Sequence, residues 1–201
     1  MSEHYYSKSP KSSSNPTKFQ TTIQSISLTF QTDDGVFSKK QIDYGTKTLL
    51  EQFQFPETVG DILDVGCGYG PIGITVAKMA PERRINMFDV NERAVDLAEK
   101  NISLNYVSNA EASVEEGIHS FPDDRYAVVV TNPPFRAGKK VVHEIVEESK
   151  RVMVKQGELW LVVQKKQGAP SLQAKMEDVF GNVEVMKRDK GYFILKSRKI
   201  D

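Results

Sequence analysis

The stretch DILDVGCGYGPIG, residues 61–73, restricts the fold more tightly than any other part of the chain. An apolar run from Ile62 to Val65 enters three glycines at alternate positions, Gly66, Gly68 and Gly70, and leaves through Pro71 into a second apolar stretch. Proline suits the first turn of a helix, where its missing N–H has no partner to lose. Glycine permits positive φ and lets a ligand come close to the backbone. The pattern is a strand, a bare loop and a helix. In open α/β sheets such a loop lies at the carboxyl end of its strand, where ligands bind. A plain strand-to-helix turn requires fewer glycines than this.

The rest of the chain repeats that rhythm. Apolar patterning predicts strands over 61–65, 85–89, near Ala110, and over 127–131, 158–163, 183–187 and 192–196. Helices are predicted over 71–79, 92–105, 141–153 and 171–180. Strands that alternate with helices are parallel and joined by crossovers. The last two strands are separated only by Arg188–Gly191, a gap that permits a hairpin and forbids a crossover. The expected fold is therefore α/β, a mostly parallel seven-stranded sheet whose last strand is antiparallel. Ahead of it, TTIQSISLTF (21–30) puts Ile26, Leu28 and Phe30 on one face, and Asp34-Gly35 is a turn signal, so a β-hairpin is expected there. The expected organisation is a flexible tail over 1–18, a hairpin extension over 19–40 and the main domain over 41–201.

Charge and cysteine content narrow the function classes. Lys plus Arg and Asp plus Glu number 27 each, so a nucleic-acid partner would have to be held by a local basic face. Lys139 and Lys140, and Lys165 and Lys166, are candidates, because both pairs follow predicted strand ends. The single cysteine, Cys67, excludes an internal disulfide, and three scattered histidines, His4, His119 and His143, give no metal-ligand spacing. No metal is expected. The N-terminus has no apolar leader and no long apolar run occurs, so a soluble cytoplasmic protein without a membrane partner is expected.

Two nucleotide cofactors fit the glycine loop. Gly68, Gly70 and Gly73 spell the G-x-G-x-x-G of dinucleotide folds, whereas Asp64 with Gly66, Gly68 and Gly70 spells the D-x-G-x-G-x-G used for S-adenosylmethionine (SAM). Asp89, at the end of the second predicted strand, can accept hydrogen bonds from ribose hydroxyls in either. Asp64 separates them: a carboxylate below the loop can hold the ammonium of a methionine tail but would repel a pyrophosphate. Cys67 reads as a small loop residue with no base beside it to activate a thiol.

The second chemical motif is TNPPFRAGKK, 131–140. A nitrogen whose lone pair is delocalised into a π-system is a poor nucleophile, and it needs aiming more than it needs a base. The Asn132 side-chain carbonyl and the Pro133 backbone carbonyl offer two acceptors for an –NH₂ group. Asn132 and Pro133 both precede prolines, and Pro133 and Pro134 have fixed φ, so the acceptors are set in advance. Phe135 can stack on a planar base, worth about 1–3 kcal/mol in single-strand binding.

Together DVGCGYG, DVNERAV and TNPPF resemble the class I SAM-dependent methyltransferases. With GVFSKKQIDYGTKTLL (35–50) added, the chain resembles the small-subunit ribosomal RNA guanine-N(2) methyltransferases over roughly residues 20 to 198. The resemblance implies a Rossmann-like sheet with helices on both faces and SAM as cofactor. Ribosomal RNA, methylated on a guanine exocyclic amine, is the implied partner. It places Asp64, Gly66, Cys67, Gly68 and Gly70 around the methionine part of SAM, Asp89 at the ribose, and Val90, Asn91 and Ser113 near the adenosine. Asn132, Pro133, Pro134 and Phe135 form the catalytic turn, with Asn132 also beside the cofactor. Phe37 and Tyr44 fall in a segment that closes over the cofactor, and Arg136 stands where the family often has His. Similar turns serve DNA adenine and protein glutamine methyltransferases. Other planar nitrogens therefore remain alternatives, as do a dinucleotide oxidoreductase and a non-catalytic RNA-binding module.

Overall fold

The structure, a computed structural model, describes residues 15–34, 36 and 41–201. Most of the expected tail, and Phe37, lie outside the described residues. A two-stranded ribbon, β1 (Thr17–Ile23) and β2 (Ile26–Thr32), is followed by α1 (Tyr44–Gln52). The alternating part runs β3 (Asp61–Val65), α2 (Pro71–Met79), β4 (Ile85–Asp89), α3 (Glu92–Leu104), β5 (Ala110–Val114), β6 (Tyr126–Thr131), α4 (Lys139–Val152), β7 (Met153–Gln164) and α5 (Ala169–Phe180). It closes with β8 (Glu184–Asp189) and β9 (Tyr192–Arg198).

The seven-stranded sheet has the order β5-β4-β3-β6-β7-β9-β8. The chain winds outward from β3 to β5, then returns to the other side of β3 as β6. The direction of winding therefore reverses between β3 and β6, which pair in parallel. Such a switch point leaves a crevice beyond the carboxyl ends of its two strands. Strands that carry helices on both faces are apolar on both faces. Thus Val128, Val130, Trp160 and Val162 join one core with α1, α2, α3 and the ribbon. Val129, Leu159, Leu161 and Val163 join the other with α4 and α5. β9 is the antiparallel strand, as expected, but it is inserted between β7 and β8 and leaves β8 at the edge.

The hairpin differs from its expected form. The chain reverses at Gln24-Ser25, with φ of 46° and 65°, inside the stretch that reads as one strand. Two left-handed residues suit the twist of a tight hairpin, but Gln-Ser carries none of the Asn or Gly that announce one. The ribbon is built into the main body: Ile23, Leu28 and Phe30 belong to the first core. Asn101 of α3 and Asn105, which caps its C-terminus, pair with the β2 backbone as a neighbouring strand would. Asn101 accepts from Gln31 N at 2.7 Å and donates to Gln31 O at 2.9 Å, and Asn105 accepts from Thr29 N at 3.0 Å and donates to Thr29 O at 2.8 Å. Asn101 also donates to Tyr69 O, at 2.9 Å, so the ribbon, α3 and the glycine loop share one amide.

Candidate active site

The switch-point crevice is a cavity of about 560 Å³. The glycine loop forms one wall and the turn after β6 the other. Gly66 and Gly68 have φ of +69° and +57°, and a Cβ at either would meet nothing within 4 Å. Their backbone therefore faces open space that side chains would fill. The Asp89 carboxylate lines the cavity behind them, accepting from Gly68 N at 2.9 Å and from Asn91 N at 3.0 Å. A carboxylate has about four lone-pair positions, so acceptor capacity is left for hydroxyls. Burial pushes the Asp89 carboxyl above its usual range. Val90 and Asn91 also line the cavity. Asn91 does so as the N-cap of α3, its side chain accepting from Arg93 N and Ala94 N, so its amide oxygen is committed to the helix.

Asp64 is fully buried below the loop. Its Oδ2 accepts from Gly73 N at 2.8 Å, whereas Oδ1 has no hydrogen-bond partner. Burial, against the Gly73 bond and helped by the charge of Asp89, raises its pKa to about 7. Cys67 is buried, and burial with the charges of Asp89 and Asp64 pushes its thiol well up, so it is an inert loop residue.

Three expected positions lie outside the cavity lining. Gly70 does not face the cavity: it is the left-handed N-cap of α2, and a Cβ there would lie 2.8 Å from Ile74 Cδ1. Ser113 lies within β5, paired with Phe88, because the strand runs to Val114. The wall beyond β5 is Glu116, Gly117 and Ile118. Tyr44 does not close over the cavity. Its hydroxyl donates to Asp189 and its ring packs 5.6 Å from Tyr192, which ties α1 to the β8–β9 hairpin. Two of the histidines lie outside the site as well: His143 sits on α4 and His119 on an exposed turn, and neither lines the cavity.

The turn after β6 begins at Thr131, whose hydroxyl donates to Val65 O at 2.7 Å and fastens β6 to the end of β3. Pro134, at φ −76° and ψ 73°, centres an inverse γ-turn in which Phe135 N donates to Pro133 O at 2.9 Å. The Pro133 carbonyl is therefore half used and keeps one lone pair. Phe135 lines the cavity, half-buried against the second core. Asn132 is held from the far side by α1: its Nδ2 donates to Thr46 Oγ1 at 3.0 Å and faces the Asp43 carboxylate at 3.3 and 3.4 Å. With the nitrogen so occupied, the carbonyl is the end left for a ligand.

Sequence reasoning missed Asp43 and Thr46 as site residues. The spacing D-Y-G-T is an N-cap signal, since Asp43 accepts from Thr46 N at 3.1 Å, but α1 itself was not expected. It also missed Gln164 and Tyr192, which close the cavity from β7 and β9, with Gln164 donating to the Tyr192 hydroxyl and keeping a buried Oε1 without a partner. No local pattern marks either residue. Of the lysines, Lys166 lines the cavity, Lys165 is its neighbour, and Lys139 and Lys140 open α4 beside the mouth.

Residues 27–196 match the family described as Methyltransferase small domain. An uncharacterized protein of Bacillus subtilis, YbxB, is 47% identical over the full length of both chains. Ribosomal RNA small subunit methyltransferase C of Colwellia psychrerythraea is 31% identical over 90% of this chain and 50% of its own length. Among solved structures, a T. thermophilus 16S rRNA N2 G1207 methyltransferase in complex with AdoMet and guanosine superposes with a TM-score of 0.81 at 23% identity, over 92% of this chain and 50% of that one. This chain thus spans about half the length of these two relatives, which carry a function in their names.

Proposed function

This chain belongs to the methyltransferase small domain family, and we propose that it transfers a methyl group from SAM to the exocyclic amine of a guanine in ribosomal RNA. One observation carries the reading: the glycine loop and the Asn132 turn, 66 residues apart from Gly66 to Asn132, line one cavity across the switch point. The cofactor fits the residues present. The bare backbone at Gly66 and Gly68 leaves room for it and Asp89 offers acceptors for its ribose, while Asp64, buried below the loop with Oδ1 unpartnered and outside the cavity lining, would favour its ammonium by charge rather than by contact. When bound, SAM supplies an electrophilic methyl on a sulfonium.

The chain's own groups then act on the acceptor. The Asn132 carbonyl and the spare lone pair of Pro133 O take the two N–H bonds of the amine, which turns its lone pair outward. The proline-fixed turn holds both acceptors before the substrate arrives, so the entropy of alignment is met in folding. Phe135 stacks on the base. Neither acceptor is a base of useful strength, so the proton lost on methylation passes to water. Cys67, held as a thiol, takes no part.

The test has two arms. Calorimetry is expected to show S-adenosylhomocysteine binding and no NADH binding; the reverse returns the glycine loop to the dinucleotide class. Nucleoside mass spectrometry of ribosomal RNA from a deletion strain is expected to lack one N(2)-methylguanosine present in wild type. An unchanged RNA profile with a lost methyl-adenine or methyl-glutamine would move the substrate to another planar nitrogen.

A further inference from the structure

We propose that Asp43 is the positioning residue that fixes which end of the Asn132 amide faces the methyl acceptor, an inference that rests on the reading of Asn132 just given. An Asn side chain can be turned over about its last bond at little steric cost, and only its neighbours decide where the oxygen lies. Asp43 offers a carboxylate, which accepts and cannot donate. It stands 3.3 and 3.4 Å from Asn132 Nδ2, with Thr46 Oγ1 at 3.0 Å completing the grip. Reversing the amide would set its oxygen against the carboxylate. The charge thus makes one orientation the rule, and it is the one that leaves the carbonyl for the acceptor amine. A carboxylate on the nitrogen end also polarises the amide and strengthens the oxygen as an acceptor.

Asp43 is itself held firmly. Its Oδ1 caps α1 through Thr46 N, and its carbonyl accepts from Lys47 N at 3.0 Å. The next residue, Tyr44, is tied to Asp189 and packs on Tyr192. Gly45 lets the helix approach β9 so closely that a Cβ would lie 2.7 Å from the Tyr192 ring. An element ahead of the sheet therefore reaches 89 residues along the chain to set one rotamer.

This geometry reverses a simple expectation for Asn132→Asp. By sequence alone that change keeps an acceptor and should be milder than Asn132→Ala. In the structure it sets one carboxylate against another. The reciprocal exchange is the decisive experiment. In Asp43→Asn the new amide oxygen keeps the cap on Thr46 N, and Asn caps as well as Asp, so α1 is retained. Its nitrogen then faces Asn132 and draws the Asn132 carbonyl away from the acceptor. In the double variant D43N/N132D the amide introduced at position 43 donates to the carboxylate introduced at position 132. The other oxygen of that carboxylate is again free to accept.

Steady-state kinetics on RNA should show kcat reduced about 100-fold in Asn132→Ala, the scale for losing a positioning group at the reacting centre. It should fall at least about 10-fold in D43N and below the Asn132→Ala value in N132D, while the double variant recovers at least about 10-fold over N132D. KM for RNA and the calorimetric affinity for S-adenosylhomocysteine should stay within about twofold. A second readout needs no turnover: the Asn132 side-chain amide resonance, identified by its loss in Asn132→Ala, should shift and lose protection from exchange in D43N. A double variant no better than N132D, or an amide resonance unchanged in D43N, overturns the proposal. A wild-type protein that binds S-adenosylhomocysteine but methylates no RNA overturns the functional reading instead, and the amide resonance still decides the role of Asp43.

Discussion

Asp64 is the residue whose surroundings have the clearest consequence in solution. Its carboxyl is fully buried, uses one oxygen on Gly73 N and leaves the other unpartnered. Burial raises its pKa from 3.8 to about 7. Between those values the folded protein holds a proton that the unfolded chain releases. Stability from this site is therefore greatest below about pH 4, falls as pH rises to about 7, and is level above that. Asp64→Asn keeps an oxygen for Gly73 N and removes the ionisation. Thermal melts without cofactor should show the variant gaining on wild type by several degrees between pH 5 and pH 8. A gap independent of pH would mean that Asp64 titrates like an ordinary carboxylate. At this scale the sequence was informative where chemistry is packed into short stretches. Gly66, Gly68, Asp89 and Asn132 could be picked out because their neighbours spell a loop or a turn. Asp43, Gln164 and Tyr192 could not, since only the folded sheet brings them to the cavity. Gly70 belongs to the same run but serves as a helix cap, whereas the other two glycines face the cavity.

Among elements, the strand–helix alternation was plain because buried parallel strands are continuous apolar runs, and α2 begins and ends where Pro71 and Met79 suggested. The ribbon and α1 were harder. The reversal at Gln24-Ser25 lacks turn residues, and α1 has only nine residues with little apolar periodicity. What holds the ribbon is also invisible locally: the amides of Asn101 and Asn105 stand in for a neighbouring strand along β2. Asn101→Ala would leave Gln31 N–H, Gln31 O and Tyr69 O without that partner, and a buried orphan costs about 1–3 kcal/mol. Amide exchange at Gln31 should quicken markedly while the amides of Val128 to Val130 in β6 stay protected. S-adenosylhomocysteine should bind more weakly, because Tyr69 belongs to the glycine loop. Uniform acceleration across ribbon and sheet would show that the ribbon has no separate stability.

At the scale of the whole molecule, equal numbers of acidic and basic residues leave no global field for a nucleic acid, so the proposed RNA substrate would have to be drawn in at the mouth of the cavity. Lys166 lines that cavity and Lys165 is its neighbour, while Lys139 and Lys140 start α4 between the lining residues Arg136 and Val141; all four are exposed. If RNA is the substrate, Lys139→Glu with Lys140→Glu should raise KM for RNA. It should also flatten the dependence of log KM on log salt by roughly 1.4, about 0.7 for each single-strand phosphate no longer neutralised. S-adenosylhomocysteine affinity should not move. An unaltered salt slope would make these lysines ordinary solvated surface. The path of the chain through the molecule has one more consequence, for its synthesis. The ribbon is made before α3, and the asparagines that dock β2 come 70 and 76 residues after the backbone groups they hold. At about 5–20 residues per second on the ribosome, those partners are made roughly 4–15 s later. A two-stranded ribbon alone is marginal in water. The backbone of β2 thus lacks those two partners throughout that interval, and the ribbon is among the last of the described elements to be fastened in place.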